Sequence, residues 1–207
     1  MKVVKKLVTK IFDLPFFYEL FQRFVKKAEY DGKIRDLLDP RPNTTVIDFG
    51  CGIGQYSKFF QGSNYLGIDP LFECIEVAKR RYSNTQGINF KVADETFLES
   101  LASESVDTLF GIGVLHHMED QQVVRLMTEC ARILRQEGKI CFVEPYFYQR
   151  QPKIRQIVMR MDRGQRIRSL DSYLQFIDSS RFKIRSSYLQ GALRIPYDLL
   201  HISCEKK

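Results

Sequence analysis

Val46-Ile47-Asp48-Phe49-Gly50-Cys51-Gly52-Ile53-Gly54 is the stretch on which the reading of this chain turns. A β-rich apolar run ends in three glycines at alternate positions, and residues 54–61 then read as a helix. A strand that turns over glycines into a helix is the setting in which a backbone cradles a phosphate or a nucleoside. Glycine is needed because the turn is tight and no Cβ can stand between the backbone and its ligand.

The pattern on either side has the same grain. Short β-rich runs recur as TVIDF at 45–49, NYLGID at 64–69, INFKV at 88–92, VDTLFG at 106–111 and KICFVE at 139–144. Helical candidates lie between them at 54–61, 71–82 and 120–135. This alternation predicts βαβ units and a parallel sheet, and near-continuous apolar runs fit strands covered on both faces. After Glu144 the alternation breaks. A basic, helical insert leads through DSYLQFI to a strand at 182–190 and a last one at 198–205. The short connection between these two, around Gly191 and Pro196, makes them antiparallel neighbours. The expected class is therefore α/β, a mostly parallel sheet with one reversed strand.

Two carboxylates choose between ligands for the glycine loop. Asp69 closes the second run, where it can take both ribose hydroxyls of an adenosine. Asp48 precedes the first glycine by two residues; it would repel a pyrophosphate and welcome the ammonium and sulfonium of S-adenosylmethionine. The spacing is GxGxG, not GxGxxG, which also speaks against a dinucleotide. The N-terminus of the helix after the loop is expected to receive the methionine carboxylate.

With these residues in view, the chain resembles the class I S-adenosylmethionine-dependent methyltransferases of small-molecule type over about residues 42–145. VIDFGCGIGQYS resembles the first motif of that family and YLGIDP the second. FKVADET resembles the third and VDTLFGIGVLHHM the fourth. The resemblance implies a Rossmann-like, seven-stranded sheet with its last strand antiparallel and helices on both faces. It implies a cofactor site of Asp48, Gly50, Cys51, Gly52, Gly54, Asp69 and Pro70, with Asp94 and Glu95 at the adenine and Gly111 and Ile112 at the methionine moiety. In such a fold the stripe Phe16–Phe24 reads as a lid helix. One domain over 1–207 is expected, divided into a helical lid (1–40), a cofactor-binding core (42–145), a basic insert (146–180) and terminal strands (181–207).

Composition excludes several classes. The chain has 207 residues, 44% hydrophobic and 28% charged, which is globular usage and not that of a disordered or fibrous protein. No apolar run approaches the ~18 residues that span a bilayer. Cys51, Cys74, Cys130, Cys141 and Cys204 are odd in number and form no CxxC, so they read as reduced thiols, and with three histidines no metal site is expected. The first residues lack a secretory cleavage pattern, and a cytoplasmic location is expected. The net charge of +7 is unevenly placed. Residues 1–12 carry four lysines and no acid on a helix with an apolar opposite face, a pattern suited to weak contact with a membrane surface. Residues 146–170 carry seven basic residues against Asp162 alone.

Arginine suits planar recognition of phosphate or carboxylate, so Arg160, Arg163 and Arg166, with Tyr146, are the candidate substrate contacts. The expected acceptor is small or lipid-linked and anionic, a sugar or nucleotide sugar methylated at oxygen. If oxygen is the acceptor, His116, His117 or Glu144 at the carboxyl edge of the sheet are the candidate bases. Nucleic acid is disfavoured because no RNA-binding module accompanies the narrow basic stretch. A catalytically silent cofactor-binding subunit, an RNA methyltransferase and an NAD-dependent dehydrogenase are the rival readings, and Asp48 opposes the last.

Overall fold

The computed structural model describes residues 24–162, 164 and 166–207. The expectations for residues 2–12, for 16–23 and for Arg163 fall outside these residues.

Seven strands form one sheet: β1 (Thr45–Phe49), β2 (Asn64–Asp69), β3 (Ile88–Val92), β4 (Val106–Ile112), β5 (Leu134–Pro145), β6 (Phe182–Leu189) and β7 (Leu199–Lys206), in the order β3-β2-β1-β4-β5-β7-β6. Pairings from β3 across to β5 are parallel, and β7 runs antiparallel to both β5 and β6. The reversed strand is thus the last in sequence. The chain leaves β1 toward β2 on one side and arrives at β4 on the other. Their carboxyl ends therefore open a crevice, the place where open α/β sheets bind ligands.

The helices are α1 (Tyr30–Leu38), α2 (Phe72–Arg81), α3 (Asp120–Ile133), α4 (Lys153–Arg160) and α5 (Leu170–Leu174). Neighbouring strand residues feed opposite cores: Ile140 and Phe142 pack with α3 residues Val123, Leu126 and Cys130, while Cys141 and Val143 pack with Ile34, Tyr65 and Ile75. Burial on both faces is why the strands read as unbroken apolar runs.

The helix expected over 54–61 does not form. Turns and a single 3₁₀ turn at Ser57–Phe59 occupy that stretch. Gly54 has φ +74°, which a right-handed helix cannot include, and the Ser57 hydroxyl donates to the Gly54 carbonyl at 2.7 Å, competing with helical bonding. The expected helix N-terminus for a methionine carboxylate is therefore not present.

Phe110 on β4 is fully buried and stacks on Phe60 at 5.2 Å between ring centroids. Phe110→Ala should lower the unfolding free energy by about 3–5 kcal/mol in urea titrations. A loss below about 1 kcal/mol would show that the site collapses and that the stack is dispensable.

Candidate active site

The three glycines of the loop have separate reasons. Gly50, Gly52 and Gly54 all have positive φ. A Cβ on Gly50 would stand 2.6 Å from Val114, and one on Gly54 would stand 2.7 Å from the Phe90 ring. Those two are demanded by packing within the protein. A Cβ on Gly52 would meet nothing within 4 Å, so Gly52 is the glycine that faces open space. The loop is tied down by its neighbours: Gly50 and Cys51 donate their N–H groups to the Ile68 carbonyl, and Gly52 donates to Asp69 Oδ2 at 2.9 Å. Asp69 Oδ1 accepts from the Leu71 N–H at 2.9 Å. Each carboxylate oxygen keeps a lone pair for a further donor. Pro70, beside it, is exposed. Cys51 is buried with Sγ packed toward Gly67, so only its backbone reaches the loop surface.

Asp48 is buried and accepts the Tyr65 hydroxyl at 2.5 Å. Burial pushes its carboxyl up to about 7 against that hydrogen bond, with nearby Asp69 adding to the rise. Burial also raises Asp69, opposed by the Leu71 and Gly52 N–H groups. Two buried carboxylates held above their ordinary range both gain from a cation or hydroxyl donors. A ligand carrying ribose hydroxyls and a positive charge fits that requirement; a pyrophosphate does not.

The third and fourth motifs frame the same crevice. Asp94 is exposed and caps the 3₁₀ turn Glu95–Ser100 through the Thr96 hydroxyl and N–H, which hold its carboxyl below the ordinary range. The Glu95 side chain turns away to Gln122 and Arg125 on α3. A Cβ on Gly111 would lie 2.7 Å from Val114 and 2.9 Å from Phe142, and half-buried Ile112 ends the strand.

At the carboxyl edge, Glu144 is fully buried. Its Oε1 accepts from the N–H groups of Val114 and Leu115, both at 2.8 Å, and its Oε2 from the His116 N–H at 3.3 Å and from His116 Nδ1 at 2.7 Å. Every lone-pair direction is used. The other ring nitrogen of His116, Nε2, faces Asp162 Oδ1 at 3.3 Å. Burial depresses the imidazole, but Asp162 and Glu144 more than reverse this and hold it at about 9. At neutral pH His116 is therefore a cation between two carboxylates, with no free nitrogen to accept a proton. His117 is exposed, its ring centroid 4.1 Å from that of His116. The ligand atoms of His116, His117 and Asp162 come within 4.8 Å of one another, a cluster that the residue spacing did not foretell.

The basic insert is spent unevenly. Arg168 is buried and donates to the carbonyls of Leu115 and Met118 and to Asp120. Arg166 pairs with Glu119, and its N–H bonds the His116 carbonyl. These two arginines build the turn after β4. Arg160 stays exposed at the end of α4. Tyr146 is buried between Tyr148 and Tyr188, stacked at 5.3 and 5.2 Å.

Sequence reading missed Asp162, Tyr65 and Gly164 as site residues. Asp162 had a signal, as the lone acid in a basic run. Its carboxyl is drawn well below the ordinary range despite burial, by His116, the Gly164 N–H and the Tyr197 hydroxyl. Gly164 lies flat on the imidazole: a Cβ there would be 1.7 Å from His116 Cδ2. Nothing in the local sequence marks Tyr65 as the partner of Asp48.

A switch-point crevice, a glycine loop anchored on a buried acid and a reversed last strand define a nucleoside-binding α/β domain of methyltransferase type. Residues 47–142, a little under half of the chain, match the family model described as a methyltransferase domain. It is 31% identical over 110 residues to a mouse protein named probable tRNA methyltransferase 9B, an alignment covering 52% of this chain and 23% of that protein. The chain thus spans about a quarter of that curated relative. Among solved structures, the YcgJ protein of Bacillus subtilis superposes with TM-score 0.68 at 18% identity, covering 87% of this chain and 99% of that one. The geranyl diphosphate C-methyltransferase of Streptomyces coelicolor, solved with Mg2+, geranyl diphosphate and S-adenosyl-L-homocysteine, gives 0.66 at 16% identity, covering 87% and 85%.

The clamp on His116 has a pH signature. Its folded pKa of about 9 lies above the ordinary 6.5, so its contribution is complete below the ordinary value and is lost as pH rises through 9. The size is on the order of 3 kcal/mol. Lys26, lowered by burial to about 8, changes stability in the opposite direction over the alkaline range, so a variant must isolate His116. The stability lost between about pH 6 and pH 10 should be larger in the parent than in His116→Gln by that amount. Parallel pH profiles in urea titrations would refute the clamp.

Proposed function

We propose that the chain transfers a methyl group from S-adenosylmethionine to a small or lipid-linked anionic acceptor, at oxygen. The observation that carries the cofactor half is the pairing of Gly52, open to the crevice, with Asp69, which fixes the Gly52 N–H and keeps lone pairs for a ribose. When bound, S-adenosylmethionine supplies a methyl group on a sulfonium, ready for in-line displacement. Asp69 would hold the ribose hydroxyls, and Asp48 would offer its negative charge to the cationic end. Asp94 and the backbone beyond it would meet the adenine, while Gly111 and Ile112 would border the methionine moiety. The residues then have positioning and water exclusion to supply, and proximity carries much of such a rate.

For the acceptor, the support lies in the basic insert, whose Arg160 remains exposed while Arg166 and Arg168 are engaged in the turn. Of the three candidate bases, Glu144 and His116 are saturated by one another and by backbone N–H groups. His117 is the one that reaches solvent, and we assign it the role of taking the acceptor proton. Tyr146 forms part of the wall. RNA as acceptor is a second reading, favoured by the 31% identity to the mouse protein named probable tRNA methyltransferase 9B.

Calorimetric titration with S-adenosylmethionine should show binding that Asp69→Ala weakens by at least about 100-fold, since two charge-assisted hydrogen bonds are lost. A folded variant that binds as well as the parent would refute the assigned register of the motifs. Methyl transfer from labelled cofactor to anionic lipid-linked saccharides, and not to transfer RNA, is the expected acceptor result; the reverse would establish the second reading.

A further inference from the structure

Helix α4 is oriented against the usual rule for an amphipathic helix. Met159 is buried beneath it, Gln151 and Arg155 hold its first turn to Asp198 at 2.8 and 2.5 Å, and these contacts fix which side faces the body. The side left outward carries Ile154 (58% exposed), Ile157 (53%) and Met161 (73%), one stripe at helical spacing. A contiguous apolar patch on an otherwise polar surface marks a contact site. Its rim is basic: Arg150, Lys153 and Arg160 are exposed, and among the described residues none of them has an ion-pair partner. An apolar stripe edged with unpaired cations is the composition of a helix that lies in a bilayer surface.

We propose that this face of α4 docks on an anionic lipid surface. Charge decides in favour of lipid over the chain's own amino-terminal segment, residues 2–12. That segment carries Lys2, Lys5, Lys6 and Lys10, the same sign as the α4 rim, so the two repel each other and share an attraction to anionic headgroups. Among the described residues no helix is long and apolar enough to cross a membrane, so the contact is a peripheral one. Its location has a consequence for the site. Met161 precedes Asp162, the residue that clamps His116, so a docked α4 brings the carboxyl edge of the sheet to the headgroup layer. The proposal concerns binding and stands apart from the choice of acceptor.

The test is co-sedimentation of the full chain with vesicles of phosphatidylglycerol mixed with phosphatidylcholine, and with vesicles of phosphatidylcholine alone. Binding is expected to the mixed vesicles only and to weaken as salt is raised. The combined Ile154→Ser, Ile157→Ser, Met161→Ser variant should lose at least about ten-fold in partitioning. Lys153→Gln with Arg150→Gln should lose about five-fold for each charge removed. Because the three apolar side chains are exposed, the triple variant should melt within about 3 °C of the parent. No binding to the mixed vesicles would overturn the proposal, as would equal binding by the triple variant. A fall of more than about 10 °C in its melting temperature would also overturn it, by showing that protein covers this face.

Discussion

Glu144 is a fully buried carboxylate that accepts from three successive backbone N–H groups and one imidazole, and the carboxyl edge of the sheet is assembled around it. Leaving a carboxylate in the interior costs several kcal/mol unless its lone pairs are satisfied and a cation stands near. Here both conditions are met by the turn that follows β4. The requirement works in both directions: the carboxylate folds residues 114–116 into a tight turn, and the turn makes the burial tolerable. His116, fixed by that bond, then reaches Asp162 with its other nitrogen and fastens the insert onto the sheet. A chain of alternating charge, Glu144–His116–Asp162, thus joins β5, the β4 turn and the loop after α4.

That chain explains why the catalytic candidates divide as they do. A general base needs a free lone pair and a pKa near the working pH. Glu144 and His116 satisfy each other and lose that capacity; the imidazole held at about 9 is an acid already carrying its proton. The residues are indispensable to the geometry of the site while being poorly placed to accept protons from a substrate. Adjacent His117 is exposed on the same turn.

How much could be read beforehand follows from the range of each interaction. The sheet was legible because consecutive strand residues such as Ile140, Cys141, Phe142 and Val143 pack into two different cores, which writes an unbroken apolar run into the sequence. The glycine loop was legible as a motif, yet the helix expected after it was not found, since Gly54 carries a positive φ that no helical pattern in the following residues reveals. The purpose of each glycine was likewise hidden: Gly50 and Gly54 answer to Val114 and Phe90, distant in sequence, and only Gly52 answers to the crevice. Asp48 was read as a ligand contact, while its partner Tyr65 on the neighbouring strand required the β1–β2 register.

The basic insert shows the same limit in its charge. Counted along the chain, its arginines form one patch; placed in space, they do two kinds of work. Arg168 gives up its hydration to cap the Leu115 and Met118 carbonyls, and Arg166 is drawn to Glu119, so both become parts of the turn that Glu144 organises. What remains outward is the charge on the α4 side, next to an apolar stripe that the fold has turned to solvent. Guanidinium groups suit both tasks, since their planar fork can bind several carbonyls inward as readily as an anion outward. Net charge therefore states how much cation the segment contains, and only the hydrogen bonds state how much is left for a partner.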